Sequence, residues 1–186
     1  MKQKIIYHVL KKWDFIVQRV FYILCGLLFI CTLISSGNVI LRKFFSFSSN
    51  ALLELQWMFF SAVFLLGAAQ LLKEDGHIRI DIFYNKFRPS LRRKLTLCLH
   101  IFLTLPSLLV VFYMSLPFWL NAFMPLSPDQ SWFHYLFFDQ SHFEYSPNAG
   151  GLATPFAKMV LPLGFLMLIG QVISEILKLF LCISDD

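Results

Sequence analysis

Four long apolar stretches, separated by shorter polar segments, dominate the pattern of the chain. They cover approximately residues 15–40, 51–72, 95–120 and 155–183. A helix needs about 20 apolar residues to cross the hydrocarbon core of a bilayer. The pattern therefore predicts an all-α integral membrane protein, with four transmembrane helices in a single membrane domain that covers residues 1–186.

The first stretch has two interpretations, because basic residues precede it. These are Lys2, Lys4, Lys11 and Lys12. A cleaved secretory signal also begins with basic residues, but its apolar region is short and is followed by small residues. Here the apolar run continues past Ser35 without a convincing cleavage site. We therefore expect a transmembrane helix and keep the cleaved signal as the alternative.

The distribution of lysine and arginine predicts the orientation in the membrane. The segment between the second and third stretches is strongly basic, with Lys73, Arg79, Lys86, Arg88, Arg92, Arg93 and Lys94. The connection after the first stretch has only Arg42 and Lys43, and the long connection after the third adds only Lys158. Cytoplasmic segments of membrane proteins are enriched in basic residues. Both termini should therefore face the cytoplasm.

The long outer loop, residues 121–154, contains two further predicted elements. Ser127, Pro128 and Gln130 suit the N-cap, first and third positions of a helix. We expect a short helix in the membrane interface there, formed around Trp132, Phe133, Leu136 and Phe137. Residues 146–151, with the sequence Ser-Pro-Asn-Ala-Gly-Gly, predict a tight turn.

The third stretch is longer than the membrane is thick. At about 1.5 Å per residue, residues 95–120 exceed a hydrocarbon core of about 30 Å, so their helix should tilt or kink. Pro106 and Pro117 each lack a backbone N–H and are the expected kink positions.

Composition supports the membrane assignment and excludes other classes. Of the 186 residues, 58% are apolar, 15% are charged and 22 are Phe. Soluble domains average about 45–50% apolar and about 25% charged residues, and disordered chains are poor in apolar residues. The net charge of +5 lies beside apolar runs, which favours contact with lipid headgroups and argues against nucleic acid as a partner.

Glu54 stands out among the polar residues of the predicted spans, since an ionisable intramembrane group usually has a function. Glu54, Ser61 and Ala68 are seven residues apart and share one helix face. Small residues favour close helix packing, with the carboxylate bonded to a neighbouring helix or subunit. Two alternatives stay open: an acidic residue favoured by the helix dipole, and a coupling-ion site.

Other polar residues of the spans are expected to have structural roles. Glu175 and Lys178 are three residues apart on the fourth helix and should pair near the cytoplasmic interface. His100 has no second histidine in another span with which to hold a haem, so we expect a hydrogen-bonded packing residue.

The sequence contains no catalytic or nucleotide-binding motif, so we predict neither enzymatic activity nor a cofactor. His77 and Asp81 are four residues apart, but two ligands are too few for a metal site. Residues 77–82 alternate between polar and apolar positions, which is typical of a strand. Without a partner strand, we expect this segment to lie along the interface or against another protein.

Several of these segments, taken in order, resemble a known family. They are residues 54–57, 64–69, 77–84, 146–152 and 158–165. Their sequences, on four spans of this size and orientation, are similar to the small membrane subunit of tripartite ATP-independent periplasmic (TRAP) transporters, the DctQ-like Q subunit. The resemblance extends over nearly the whole chain.

The resemblance implies a transport function in a bacterial inner (cytoplasmic) membrane. TRAP transporters combine a periplasmic substrate-binding protein, a large membrane subunit and a small permease subunit. They take up organic anions, commonly carboxylates or sialic acids, using an ion gradient instead of ATP. The large subunit holds the substrate and ion sites. The small subunit scaffolds it, with membrane lipids as further partners and no substrate site, metal or cofactor of its own.

The resemblance also suggests contact residues on this chain. Candidates for contact with the large subunit or with lipids are Glu54, Gln56, Trp57, Ser61, Ala68, His77, Arg79 and Asp81. Asn148, Gly150 and Gly151 of the outer loop are candidates for contact with the binding protein. Two other functions remain possible from the sequence: an anchor or accessory subunit of another inner-membrane complex, and an intramembrane enzyme.

Overall fold

The structure is a computed structural model that describes residues 2–46, 49–74, 88–122, 144–148 and 150–184. The α-helices in these ranges are α1 (Lys2–Phe45), α2 (Asn50–Lys73), α3 (Pro89–Leu99), α4 (Leu105–Leu120) and α5 (Thr154–Ser184). A π-helical segment, His100–Thr104, joins α3 to α4. Within the described ranges no strand occurs, and the only β-type pairing is a single antiparallel bridge between Tyr145 and Ala153.

Within the described part of the chain, four helical stretches are long and apolar enough to cross a membrane. They are Ile6–Phe45, Asn50–Lys73, Leu91–Leu120 and Thr154–Leu181. The prediction of an all-α membrane protein with four spans is therefore confirmed. The interfacial helix predicted around Trp132 lies outside the described residues.

Helix α1 is much longer than its predicted span, residues 15–40. It is continuous over 44 residues, which corresponds to about 66 Å. Hydropathy marks only the part of a helix that contacts lipid. The helical backbone hydrogen bonding continues beyond that part, for example through the polar residues Lys11 and Lys12. The distance from Arg19 to Arg42 along the axis is about 35 Å, close to the thickness of the hydrocarbon core.

One stripe of α1 is buried against α2. It consists of residues seven apart: Leu10, Val17, Leu24, Cys31 and Asn38, each at most 7% exposed. A seven-residue repeat keeps side chains on the same face of two helices that wind around each other with a left-handed twist. The other faces of α1 carry exposed apolar side chains, as expected for a helix that contacts lipid.

The four membrane-crossing segments pack in a row. Helix α2 lies between α1 and α5, and α4 packs on α5. Gly164 permits close contact between α5 and α2, because a Cβ at this position would lie 2.8 Å from the Cβ of Leu65. Among the described residues, α1 and α4 make no comparable contact with each other, so the row does not close into a bundle.

The third span is irregular close to its first proline. Pro106 has no N–H for the carbonyl of Phe102, four residues earlier, so the α-helical pattern is interrupted there. The backbone N–H of Leu105 bonds instead to the carbonyl of His100, five residues earlier, which is the π-helical pattern. Pro117, the other expected kink position, lies inside α4.

Candidate functional site

The carboxylate of Glu54 is held by three donors from the turn that precedes α5. Oε1 accepts hydrogen bonds from the hydroxyl of Ser146 and from Nδ2 of Asn148, the latter at 2.9 Å. Oε2 accepts a hydrogen bond from the backbone N–H of Leu152 at 2.7 Å. We call Glu54, Ser146, Asn148 and Leu152 the outer clamp, because it lies at the end of α2 predicted to face outward.

The turn is shaped to enclose this carboxylate. The backbone N–H of Gly151 donates to the carbonyl of Asn148 at 2.9 Å, and Ser146 N donates to Leu152 O at 3.1 Å. Gly150 has a φ of 74°, a conformation that glycine adopts without strain. At Gly151 a Cβ would lie 2.6 Å from the Cβ of Ser146 and 2.9 Å from both carboxylate oxygens of Glu54. Both glycines are therefore needed for the turn to close on Glu54.

The same turn is also joined to the two helices on its other side. Nζ of Lys158 on α5 lies 2.5 Å from Oε2 of Glu144 and 4.7 Å from the ring centroid of Phe118 on α4. The backbone N–H of Glu144 donates to the carbonyl of Ala122 at 3.0 Å. The described part of the outer loop thus links α2, α4 and α5.

A second polar cluster lies at the opposite, predicted inner, end of the row. Lys178 on α5 lies 3.0 Å from Asp14 on α1 and 2.8 Å from Glu175. Gln171, which is 0% exposed, donates from Nε2 to Oε1 of Glu175 at 2.9 Å. Nζ of Lys73 on α2 donates to the backbone carbonyl of Asp14 at 3.1 Å. The predicted pairing of Glu175 with Lys178 is confirmed, and Asp14 is an additional partner.

Close packing accompanies this inner polar cluster. A Cβ at Gly170 would lie 2.2 Å from Cζ2 of Trp13, so the indole ring of α1 lies directly against the backbone of α5. Nothing in the sequence predicts this contact. A glycine inside an apolar helix and a tryptophan near the predicted membrane boundary are each common for other reasons.

The remaining candidates on α2 occupy different environments. Gln56 is half-buried and accepts a hydrogen bond at its backbone carbonyl from the Sγ of Cys31 at 3.6 Å. The hydroxyl of Ser61 donates to the carbonyl of Met58 at 2.8 Å within its own helix. Ala68 is half-buried, whereas Trp57 is 69% exposed. The structure therefore brings Glu54 together with Asn148 and Gly151, but not with Gln56, Trp57 or Ser61.

His77, Arg79 and Asp81, the candidates at the predicted inner end of α2, lie outside the described residues. For Glu54, the partner is a turn of the same chain instead of the neighbouring helix or subunit that its helix face suggested. Sequence reasoning identified Glu54 and the glycine-rich turn separately. It did not join them, because Glu54 and Leu152 are 98 positions apart in the chain and the sequence contains no signal that pairs them.

The two polar clusters hold parts of the chain together. In the outer clamp, charge-assisted hydrogen bonds, which are stronger than neutral ones, fix a turn to a helix. In the inner cluster, a lysine between two carboxylates joins the first and last helices. The outer carboxylate is already occupied by donors of its own chain.

A known protein family matches most of the chain. Residues 31–182 match the family model described as tripartite ATP-independent periplasmic transporters, DctQ component. This range includes the outer clamp, the Glu175–Lys178 pair and all four membrane-crossing segments, the first of them in part. No curated protein matches the chain with significance. The chain belongs to the DctQ family and is a small membrane component of a TRAP transporter.

Proposed function

We propose that this chain is the small permease subunit of a transporter that takes up organic anions, with carboxylates as the main class, across a bacterial inner membrane. An ion gradient drives uptake, and a periplasmic binding protein delivers the substrate. The role of the chain is to support the large membrane subunit, and it carries no substrate site of its own.

The observation that best supports a scaffolding role is an aromatic stripe on α2. Trp57, Phe60 and Phe64 follow each other at helical spacing on α2 and are 69%, 51% and 72% exposed. Helix α2 is flanked by α1 on one side and by α5 on the other. The stripe therefore lies on a helix that has a neighbour on each side, and a second multi-helix protein that packs on it can also reach those neighbours.

The engagement of the polar groups supports the same role. Glu54, Glu175 and Lys178 form hydrogen bonds or ion pairs with residues of their own chain. Carriers keep intramembrane charged groups available for ions or substrates. Here these groups stabilise the arrangement of the helices, which suits a subunit that holds another protein in place.

The partners are assigned to different surfaces. The aromatic stripe contacts the large subunit, and His77, Arg79 and Asp81 orient that subunit at the inner side. The outer turn, with Asn148 and Gly150 exposed, contacts the binding protein. Gln56, Ser61 and Ala68 are half-buried and act by maintaining the packing of α2.

The test is co-purification of the large subunit with a tagged form of this chain from membranes that contain the whole transporter. Trp57→Ala and Phe64→Ala should each reduce the recovered large subunit about tenfold, the effect expected for a central aromatic contact. Tyr113→Ala is the matched control, because Tyr113 is 72% exposed on α4, at the end of the row. It should leave recovery unchanged.

If all three variants recovered the same amount of the large subunit, the stripe would not contact that subunit and would be covered by lipid instead. The transport role has a separate test, substrate uptake by whole cells. Asp81→Ala and Glu54→Ala should each reduce uptake. Unchanged uptake and assembly would remove Asp81 from the proposed inner contact and would show that transport does not need the turn that Glu54 holds.

A further inference from the structure

The predicted inner end of α1 presents a face that carries exposed basic and apolar side chains. We call it the basic face, and it consists of His8, Lys11, Lys12, Phe15, Ile16 and Arg19, all of them exposed. The first five of these residues border one open recess. The basic face points away from α2, because it lies about half a turn around the helix from the buried stripe that includes Leu10 and Val17.

The cations of the basic face are not neutralised by the protein. Among the described residues, no carboxylate pairs with Lys11, Lys12 or Arg19. Asp14, the acidic residue nearest to them in the sequence, lies on another side of α1 and pairs with Lys178 at 3.0 Å. An anion from outside the chain can therefore approach these basic side chains without meeting a carboxylate.

Arg19 is held in a position that suits a lipid phosphate. Its Cζ lies 4.9 Å from the ring centroid of Phe15, one helical turn closer to the N-terminus, so the guanidinium turns toward the predicted cytoplasmic side. Arg19 and Arg42 are about 35 Å apart along α1 and therefore mark the two boundaries of a hydrocarbon core of about 30 Å. From the inner boundary the guanidinium reaches into the headgroup layer, and a guanidinium binds phosphate oxygens in bidentate geometry.

Lys11 and Lys12 lie beyond this level, on the water side. Their Cα atoms are about 10–12 Å from that of Arg19 along the helix axis. The amine of phosphatidylcholine also lies on the water side of its phosphate, so this cation would face the two lysines. Phosphatidylglycerol has a neutral glycerol in that place, and the same lysines attract its net negative charge. The arrangement therefore favours an anionic phospholipid over a zwitterionic one.

The surface of α1 on the membrane side of Arg19 can accommodate an acyl chain. Ile23 and Ile30 continue the direction of the basic face into the membrane and are 70% and 47% exposed. Gly26 lies between them, and a Cβ at this position would meet nothing within 4 Å. The missing side chain leaves a shallow groove between the two isoleucines.

We propose that the basic face binds one anionic phospholipid, phosphatidylglycerol, from the inner leaflet of the membrane. The phosphate accepts hydrogen bonds from Arg19, and the glycerol headgroup lies against Lys11 and Lys12. One acyl chain occupies the groove at Gly26. The site is separate from the aromatic stripe of α2 and does not depend on the proposed contact between that stripe and the large subunit.

The test compares two lipids that carry the same phosphate. The intact transporter is purified, exchanged into detergent with equal amounts of phosphatidylglycerol and phosphatidylcholine, and examined by native mass spectrometry. The wild type should retain phosphatidylglycerol at least about tenfold more than phosphatidylcholine, the effect of two basic residues beside an anionic headgroup. Arg19→Gln should reduce the retention of both lipids, because both lose the phosphate contact. Lys11→Gln combined with Lys12→Gln should bring the ratio of the two lipids close to one, because only the headgroup contact is lost.

Matched controls come from the other end of the same helix. Arg42→Gln and Lys43→Gln remove exposed cations at the predicted outer end of α1, so retention of both lipids should stay at the wild-type level. Arg19→Lys keeps the positive charge but loses the bidentate geometry, so it should retain intermediate amounts of both lipids. All the substituted side chains are exposed, so these variants should accumulate like the wild type.

Three results would overturn the proposal. One is equal retention of the two lipids by the wild type, and another is an equal effect of Arg19→Gln and Arg42→Gln on retention. The third is capture of the large subunit instead of lipid by a photoreactive cross-linker attached at Ile16→Cys, because a protein would then cover the basic face.

Discussion

Lys178 and Asp14 are separated by 164 residues in the chain, yet the lysine ammonium lies 3.0 Å from the aspartate carboxylate. This contact joins the first helix to the last at one end of the row, where α1 otherwise contacts mainly α2. Both side chains are partly exposed, 31% and 25%. The same lysine also pairs with Glu175 at 2.8 Å, so one cation is shared by two carboxylates.

Because of this arrangement, removing the charge of Asp14 and removing that of Lys178 should lower the free energy of unfolding by different amounts. Asp14→Asn leaves Lys178 paired with Glu175 and should cost about 1 kcal/mol, in the range of exposed ion pairs. Lys178→Met leaves two carboxylates without their cation and should cost about 2–3 kcal/mol, approaching the range of buried pairs. The measurement is the apparent melting temperature of the purified chain in mild detergent.

The double variant checks that the two residues act together. Asp14→Asn combined with Lys178→Met removes one of the two stranded carboxylates, so its loss of stability should be smaller than the sum of the single losses. Lys11→Met is the matched control, since Lys11 is exposed on the same helix as Asp14. Strictly additive losses would argue against the pairing.

The contact between Trp13 and Gly170 predicts a compensating pair of substitutions. Gly170→Ala places a methyl group where the indole ring lies, 2.2 Å from Cζ2, and should destabilise the chain by about 1–3 kcal/mol through overpacking. Trp13→Leu removes the obstructing ring atoms, so Gly170→Ala should cost much less in that background. The measurement is again the apparent melting temperature.

Two other glycines serve as controls for helix propensity. A Cβ at Gly26 or at Gly37 would meet nothing within 4 Å. Alanine is the better helix former by about 1 kcal/mol, so Gly26→Ala and Gly37→Ala should leave stability unchanged or raise it. A loss at these positions equal to that of Gly170→Ala would mean that steric contact with Trp13 is not the cause.

The hydrophobic pattern was sufficient to predict four spans because the bilayer imposes a minimum length on every apolar helix. It did not predict the ends of α1, since helical hydrogen bonding continues through Lys11 and Lys12 into the polar region. The pairing of Glu175 with Lys178 was predictable because both residues lie within one helical turn. The contact between Asp14 and Lys178 was not predictable, because it depends on how separate helices pack.

The outer clamp illustrates the same limit. The turn at residues 146–151 was predictable from its Ser, Pro, Asn and Gly content, and Glu54 was conspicuous as a carboxylate in an apolar helix. Their association depends on α2 and α5 lying side by side. A single sequence contains the donors and the acceptor, but not the packing that places them within hydrogen-bond distance.

The outer clamp predicts that Glu54→Gln behaves as a loss of function in spite of its similar shape. All three partners donate to the carboxylate. Glutamine has no negative charge to strengthen these bonds, and it keeps an acceptor for Leu152 only if Ser146 and Asn148 turn to accept from its NH₂. The turn should then be held less tightly, and the amide of Leu152 should exchange its hydrogen at least about tenfold faster. Glu74→Gln is the control, because Glu74 lies beyond the other end of α2 and should leave this exchange unchanged.

Alanine substitutions at Gly150 and Gly151 test whether the turn needs glycine for steric fit or for backbone conformation. At Gly151 a Cβ would lie 2.9 Å from both carboxylate oxygens of Glu54, so Gly151→Ala should displace the carboxylate and accelerate exchange at Leu152 as strongly as Glu54→Gln. At Gly150 a Cβ would meet nothing within 4 Å, but φ is +74°. Gly150→Ala therefore adds about 1 kcal/mol of backbone strain and should accelerate exchange only several-fold. If the two alanine variants exchanged at the same rate, contact with Glu54 would not be what requires glycine at position 151.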